Sequence, residues 1–287
     1  MIQTTKAILK SVYQARPRDV HKYNYGNLLI IGGSEFYSGS PAFAALSAFR
    51  AGVDMVKVIA PKRAADIIAS FSPVLAAYPL DAKWLTKENL ATLISMTESA
   101  KTVTHGKVAV LIGGGMGRTE ATQETIIEYL SDISVSVVID ADAIHAVAEK
   151  PEIIAGKPFL ITPHNYEFFV LTKKEVRNLT EEEKIKIVQE QAKRLQTTIL
   201  LKGANDIISN GEEVAINKTG SPYMTKGGTG DTLAGIAGAI LARGISPFVA
   251  GQAAAFINGL AGELAAKKFG ESLLATDLID EIVNVIK

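Results

Sequence analysis

Residues 108–130 read VAVLIGGGMGRTEATQETIIEYL. Val108 to Ile112 form an apolar run without polar alternation, the glycines from Gly113 to Gly117 surround Met116, and a helical pattern runs from Thr119 to Leu130. A strand that is apolar on both sides must be buried on both sides, which suits a parallel sheet covered by helices. Strand, glycine turn and helix together make the repeating unit of such a sheet.

The same unit recurs along the chain. Asn27 to Ile31, Met55 to Ile59, Val135 to Ile139, Phe159 to Ile161 and Thr198 to Leu201 are predicted strands, with crossover helices at Pro41 to Ala51, Asp142 to Glu149 and Glu181 to Leu195. The pattern predicts a doubly wound α/β fold. DIIS and EEVAIN, flanking Asn210-Gly211, depart from it and predict a small antiparallel hairpin over 206–217 with a type I′ turn. After Gly227 the chain reads as helical, with Leu233, Ile236, Ala237, Ile240 and Leu241 on one face. No repeat or low-complexity linker divides it, so one domain over 1–287 is expected.

Composition narrows the function classes. Thirty basic residues balance thirty acidic ones, so no long-range field favours nucleic acid or an anionic membrane, and an anion must be caught locally. The absence of cysteine removes disulfides, thiolate metal sites and cysteine nucleophiles and points to the cytoplasm. The N-terminus has no apolar secretion core, and Arg243, Gly244, Pro247 and Glu263 break up the most apolar helical stretch. The four histidines show no metal-ligand spacing, so no transition-metal site is expected.

Lys226-Gly-Gly-Thr-Gly-Asp231 precedes the long apolar helix, where small residues and unpaired helix N–H groups suit a phosphate. The same residues also suit an ordinary turn in which Thr229 or Asp231 caps the helix. An aspartate beside phosphate is costly unless it accepts a proton from a reacting hydroxyl, which makes Asp231 the candidate base. Lys202 to Asp206 closes a predicted strand, at the sheet edge where open α/β sheets bind ligands, or forms a plain turn with a solvated lysine. Asp140, Asp142, His164 and Glu167 end two further strands and should converge on that edge. Asp142 also fits the N-cap of the following helix. Gly113 to Gly117 lacks the spacing of a dinucleotide fingerprint but allows close approach to a pyrophosphate. Gly32 to Pro41, at another strand end, admits a bulky ligand or is a plain loop.

Taken in order, GNLLIIGGSEFYSGSP, FRAGVDMVKV, IGGGMG, VIDADA, ITPHNYE, LLKGAND and TGSPYMTKGGTGDTLAGI resemble the ADP- or ATP-dependent NAD(P)H-hydrate dehydratases, a branch of the ribokinase-like superfamily. The resemblance implies a hydro-lyase of cofactor repair. A phosphoryl group passes from ADP or ATP, with Mg²⁺, to the ring hydroxyl of the S-form of NADHX or NADPHX, and phosphate is then eliminated. It implies nucleotide contacts at Lys202, Gly203, Ala204, Asn205, Asp206, Gly228, Thr229 and Gly230. Substrate contacts are implied at Ser40, Ala42, Gly115, Gly117, His164 and Asp231, with Asp140 and Glu167 facing substrate or magnesium. It also implies a homo-oligomer such as a tetramer. Residues 1–26 are too short for a fused epimerase domain, so a separate epimerase is expected. Competing readings are a small-molecule kinase of the hydroxyethylthiazole or hydroxymethylpyrimidine type and a nucleotide-binding regulator without turnover. Asp231, which a regulator could lose, is present.

Overall fold

The computed structural model describes residues 1–287. Its strands are β1 (Ile2–Gln3), β2 (Asn27–Ile31), β3 (Met55–Pro61), β4 (Ala76–Leu80), β5 (Val108–Ile112), β6 (Ser136–Ile139), β7 (Phe159–Ile161), β8 (Thr198–Leu201), β9 (Asp206–Ser209) and β10 (Val214–Asn217). The helices are α1 (Leu9–Val12), α2 (Gly39–Arg50), α3 (Lys62–Phe71), α4 (Leu90–Val103), α5 (Glu120–Asp132), α6 (Asp142–Glu149), α7 (Asn165–Thr172), α8 (Glu181–Leu195), α9 (Thr229–Ala242), α10 (Pro247–Phe269) and α11 (Ala275–Ile286).

All ten strands lie in one sheet, ordered β1-β10-β9-β8-β7-β6-β5-β2-β3-β4. From β8 to β4 every pairing is parallel, and β9 and β10 add the antiparallel hairpin. The unbroken apolar runs explain why: along β2, Leu28 and Ile30 enter the core under α1–α3 and α9–α11, while Leu29 and Ile31 enter the core under α4–α8. Each face is thereby buried by its own layer of helices. No helix is long and apolar enough to cross a membrane.

Three local expectations are corrected. The first strand is β1, not β2. Its two residues pair in parallel with Ala215 and Ile216, and so short a strand carries no pattern of its own. The type I′ turn is absent: Ser209 pairs with Val214, leaving a four-residue loop in which only Gly211 has positive φ (+93°). Asn210 Oδ1 accepts the N–H groups of Glu212 (3.0 Å) and Glu213 (2.8 Å), so a side chain closes the loop. Finally, β4 carries no strand signal in the sequence because AAYPL contains Pro79. It is an edge strand paired only with β3, where a missing N–H is tolerated.

Candidate active site

From β2 the parallel strands step outward in both directions, to β3 and β4 on one side and to β5 through β8 on the other. Adjacent loops diverge at that reversal and open a crevice at the carboxyl ends of β2 and β5. Gly33 N–H donates to Gly114 O (2.8 Å) across it. Gly113 must be glycine, since its φ is +134° and a Cβ there would lie 1.8 Å from Asp140 O.

Asp231 enters the crevice from the first turn of α9. Gly228 occupies the N-cap position with φ +98° and no side chain caps the helix. Thr229 Oγ1 instead donates to the carbonyls of Met224 (2.8 Å) and Lys226 (3.0 Å). Capping by Thr229 or Asp231 is therefore overturned, and the positive end of α9 carries no side-chain acceptor. Asp231 Oδ1 accepts the Ser40 hydroxyl at 2.5 Å, and both residues line one small hollow with Gly114 and Asp140. Burial pushes the Asp231 carboxyl up to about 6, Asp140 and Glu167 add to the rise, and Ser40 and Lys202 oppose it.

Lys202, at the end of β8, reaches back under β7 and β6. Its Nζ donates to Asp140 Oδ1 (2.9 Å), which also accepts from Thr162 Oγ1 (2.8 Å), and stands 3.7 Å from Glu167 Oε2. Burial disfavours the Lys202 ammonium, but the Asp140 and Glu167 carboxylates outweigh it and hold the group above its ordinary value. Lys202 is therefore a largely buried cation, 20% exposed, held by Asp140 and Glu167 and felt by Asp231, not a solvated turn residue.

His164 and Glu167 form a capping box at the start of α7. Glu167 N–H donates to His164 Nδ1 (3.2 Å), and His164 N–H donates to Glu167 Oε2 (2.8 Å). Because Nδ1 accepts, the neutral ring carries its proton on Nε2. The side chain is half exposed. His164→Asn keeps a capping oxygen, so we expect its melting temperature near the parent's and its apparent KM for a dinucleotide substrate several-fold higher with nucleotide affinity unchanged. An unaltered KM would leave His164 as a cap alone.

Asp142 is not the N-cap of α6. It is the first helical residue, and its carboxylate crosses to Gly117 N–H (2.9 Å) and Arg118 Nε (2.8 Å), tying down the glycine loop. The N-cap is Ala141, with φ +49° and ψ −122°, a conformation that costs a non-glycine residue about 1–3 kcal/mol. Ala141→Gly should relieve that strain at a smaller entropic cost in the unfolded chain, raising stability by about 1 kcal/mol in chemical denaturation. A lower midpoint would show that the strain is absent.

A cleft of about 480 Å³ lies beside these groups, between the 202–206 loop and the start of α9. Lys202, Gly203, Ala204, Asp206, Thr229 and Gly230 line it as expected from sequence. Gly230 does not act through backbone constraint: a Cβ there meets only Lys202 Nζ, at 3.7 Å, so a larger side chain would project into the cleft. Asp206 turns inward, accepting from Gly203 N–H (3.1 Å) and Asn217 Nδ2 (3.0 Å), and burial pushes it up to about 6. Asn205 faces away, its amide on Glu181, and lines a separate hollow. Ala42 packs into the core at 4% exposure. Sequence reasoning missed the far wall, the 219–225 segment and Asn258, whose Oδ1 accepts from Thr232 Oγ1 (2.7 Å). A polar residue within the apolar α10 was the available signal. No group of three or more His, Cys, Asp or Glu side chains is placed to hold a metal ion.

A largely buried carboxylate at a helix N-terminus, a paired lysine and a cleft at the sheet's switch point sit on a ribokinase-like fold. A ribokinase-like protein of Enterococcus faecalis has this fold, with a TM-score of 0.84 and 26% identity over 99% of this chain and 95% of that one. The NAD(P)H-hydrate dehydratase family model matches residues 28–284, and the chain belongs to that family.

Among its relatives, the ADP-dependent (S)-NAD(P)H-hydrate dehydratase of Cenarchaeum symbiosum is 38% identical over 95% of this chain and 92% of its own. The bifunctional NAD(P)H-hydrate repair enzyme of Methanothermobacter thermautotrophicus is 39% identical over 93% of this chain but 50% of its own. The chain thus spans about half the length of several curated relatives. The ADP/ATP-dependent NAD(P)H-hydrate dehydratase of Bacillus subtilis, co-crystallised with ATP and Mg²⁺, superimposes with a TM-score of 0.82 at 26% identity, over 99% of this chain and 97% of that one.

Proposed function

We propose that the chain is an ADP- or ATP-dependent (S)-NAD(P)H-hydrate dehydratase, a hydro-lyase that returns hydrated NADH or NADPH to the reduced dinucleotide. The observation that carries this reading is Asp231: a largely buried carboxyl raised to about 6, hydrogen-bonded to Ser40, at the uncapped start of α9. A carboxylate with that value is ionised at neutral pH yet basic enough to accept a proton.

In this reading the nucleotide occupies the 480 Å³ cleft with its terminal phosphate toward the start of α9. The hydrate lies across the glycine loop with its ring hydroxyl at Asp231, and His164 and the Ser40 turn flank it. Asp231 takes the hydroxyl proton as the ring oxygen bonds to phosphorus. The bond to the remaining nucleotide breaks, giving AMP from ADP or ADP from ATP. The ring C–O bond then breaks with its electron pair leaving on phosphate, the neighbouring ring carbon loses a proton, and the double bond is restored. Lys202 holds Asp140 and Glu167 compensated throughout.

Magnesium is ordinarily held by phosphate oxygens and one or two carboxylates, where it offsets phosphate charge. The donor set is compatible with it: both hydrogen bonds to Asp140 fall on Oδ1, so this carboxylate keeps an oxygen free and would be the residue to help hold the ion. We assign dehydration to residues 28–284 and epimerisation of the other hydrate isomer to a different domain, on this chain or another. The enzyme is expected in the cytoplasm as a homo-oligomer such as a tetramer.

The test is incubation with the hydrate, Mg²⁺ and either ADP or ATP, following the dihydronicotinamide absorbance. Its return with AMP formation identifies ADP as donor. Accumulation of a phosphorylated alcohol without that absorbance would favour a small-molecule kinase. The hydroxyethylthiazole kinase of Pyrococcus horikoshii shares the fold, at a TM-score of 0.63 and 18% identity.

A further inference from the structure

Phe36 is 80% exposed and Tyr37 45% exposed, an unusual display of aromatic surface beside a reaction crevice. Both belong to the loop after β2. The chain's one tryptophan, Trp84, comes from the loop after β4 and meets the Phe36 ring at 5.5 Å between centroids, tilted by 59°.

The two loops are held together by the backbone. Glu35 N–H donates to Lys83 O (2.8 Å), Ser34 N–H donates to Tyr37 O (2.9 Å), and Arg63 Nη1 donates to Glu35 O (2.6 Å). The rings therefore stand on a fixed platform, not on a loose tip.

Their placement follows the glycine loop outward from the reacting carboxylate. A Cβ on Gly114 would lie 3.2 Å from Asp231 Oδ1, one on Gly115 would lie 2.5 Å from Tyr37 Cδ1, and one on Gly117 would lie 2.5 Å from Trp84 Cζ3. Aspartate, tyrosine and the phenylalanine–tryptophan pair thus form a row. From Gly114 to Gly117 the backbone extends at most about 10 Å, a span over which a flexible pyrophosphate can separate two planar rings. Tyr37 is also close enough to the site that burial first, and the Asp231 charge second, raise its hydroxyl above the ordinary tyrosine value.

We propose that this row is the recognition site of a dinucleotide: Tyr37 lies against the reacting ring, and the exposed face of Phe36, backed by Trp84, stacks on the adenine base of the same molecule. The assignment rests on the dehydratase reading and adds to it a device that selects dinucleotides over mononucleotides. Flat rings stack on aromatic side chains without needing hydrogen-bond partners, which suits a pair with no polar side chain between its rings.

The test compares the parent with Phe36→Ala, whose removed ring is mostly in solvent, so the fold should be retained. Trp84 fluorescence reports binding of two probes, NADH and reduced nicotinamide mononucleotide, which lacks the adenine half. We expect NADH to bind about tenfold more weakly to Phe36→Ala and the mononucleotide to bind equally to both proteins. With the hydrate of NADH, KM should rise by about the same factor while kcat and the ADP affinity stay within twofold. Unchanged NADH affinity and KM, or an equal loss for the mononucleotide, would overturn the assignment. A parent that neither binds NADH nor turns over its hydrate would remove the dehydratase reading and this site together, whereas a parent active on the hydrate with an indifferent Phe36→Ala would remove this site alone.

Discussion

Asp231→Asn is expected to lower turnover of the hydrate by about 10²–10⁴-fold, the usual contribution of a positioned base. Asparagine keeps the oxygen that accepts the Ser40 hydroxyl, so the local hydrogen bond survives. Stability should not fall. The folded protein favours the protonated Asp231, raised from 3.8 to about 6. Its contribution is therefore present below the unfolded value and lost as pH rises through the folded one. At neutral pH the ionised group costs the fold on the order of 2–3 kcal/mol, which the amide removes. The parent's kcat should also decline as pH falls through about 6, where the acceptor becomes protonated. A folded Asp231→Asn protein with turnover within a few-fold of the parent would reduce Asp231 to a structural residue.

Lys202→Met should have the largest structural consequence. It leaves Asp140 and Glu167, 4% and 6% exposed, without their shared cation. Removing one partner of a buried ion pair costs about 3–5 kcal/mol, mostly through the charge left behind. The linkage sets the pH window: Lys202 is raised, so its contribution is complete at neutral pH. In the variant the orphaned carboxylates are relieved by protonation, so its deficit should shrink as pH is lowered. Denaturant titration at neutral and mildly acidic pH measures this. Adding Asp140→Asn should recover part of the loss, and a double variant no more stable than Lys202→Met would contradict the pairing. Adenine nucleotide affinity should fall as well, because Lys202 lines the cleft.

What could be read from sequence follows from which interactions are local. β2, β5, β7 and β8 keep their predicted bounds, since burial on both faces fills them with apolar residues after, in β2 and β8, a single polar first residue. α6 and α8 also keep their predicted bounds. β1 was invisible because two residues owe their conformation entirely to β10, some two hundred positions away. Within the site, glycine motifs and strand ends brought Asp231, Lys202, Asp140 and His164 to one sheet edge. Their partners were not legible. Nothing in spacing says that Lys202 chooses Asp140, that His164 closes a capping box normally built on serine or threonine, or that Asp142 reaches across to Gly117. The Gly32 to Pro41 loop suggests room for a bulky ligand, but its pairing of Phe36 with Trp84 of a distant loop rests on backbone hydrogen bonds, which leave no mark on side-chain pattern.

The central claim is that phosphorus is transferred to the ring hydroxyl before that oxygen leaves. It is tested most directly by a hydrate carrying isotopically heavy oxygen in the ring hydroxyl, turned over with ADP and Mg²⁺ in ordinary water and analysed by mass spectrometry of the products. The heavy oxygen should appear in inorganic phosphate, one atom for each dinucleotide restored, with unlabelled AMP alongside. Heavy oxygen released as water, with unlabelled phosphate, would show that the hydroxyl leaves without ever bonding to phosphorus and would contradict the account.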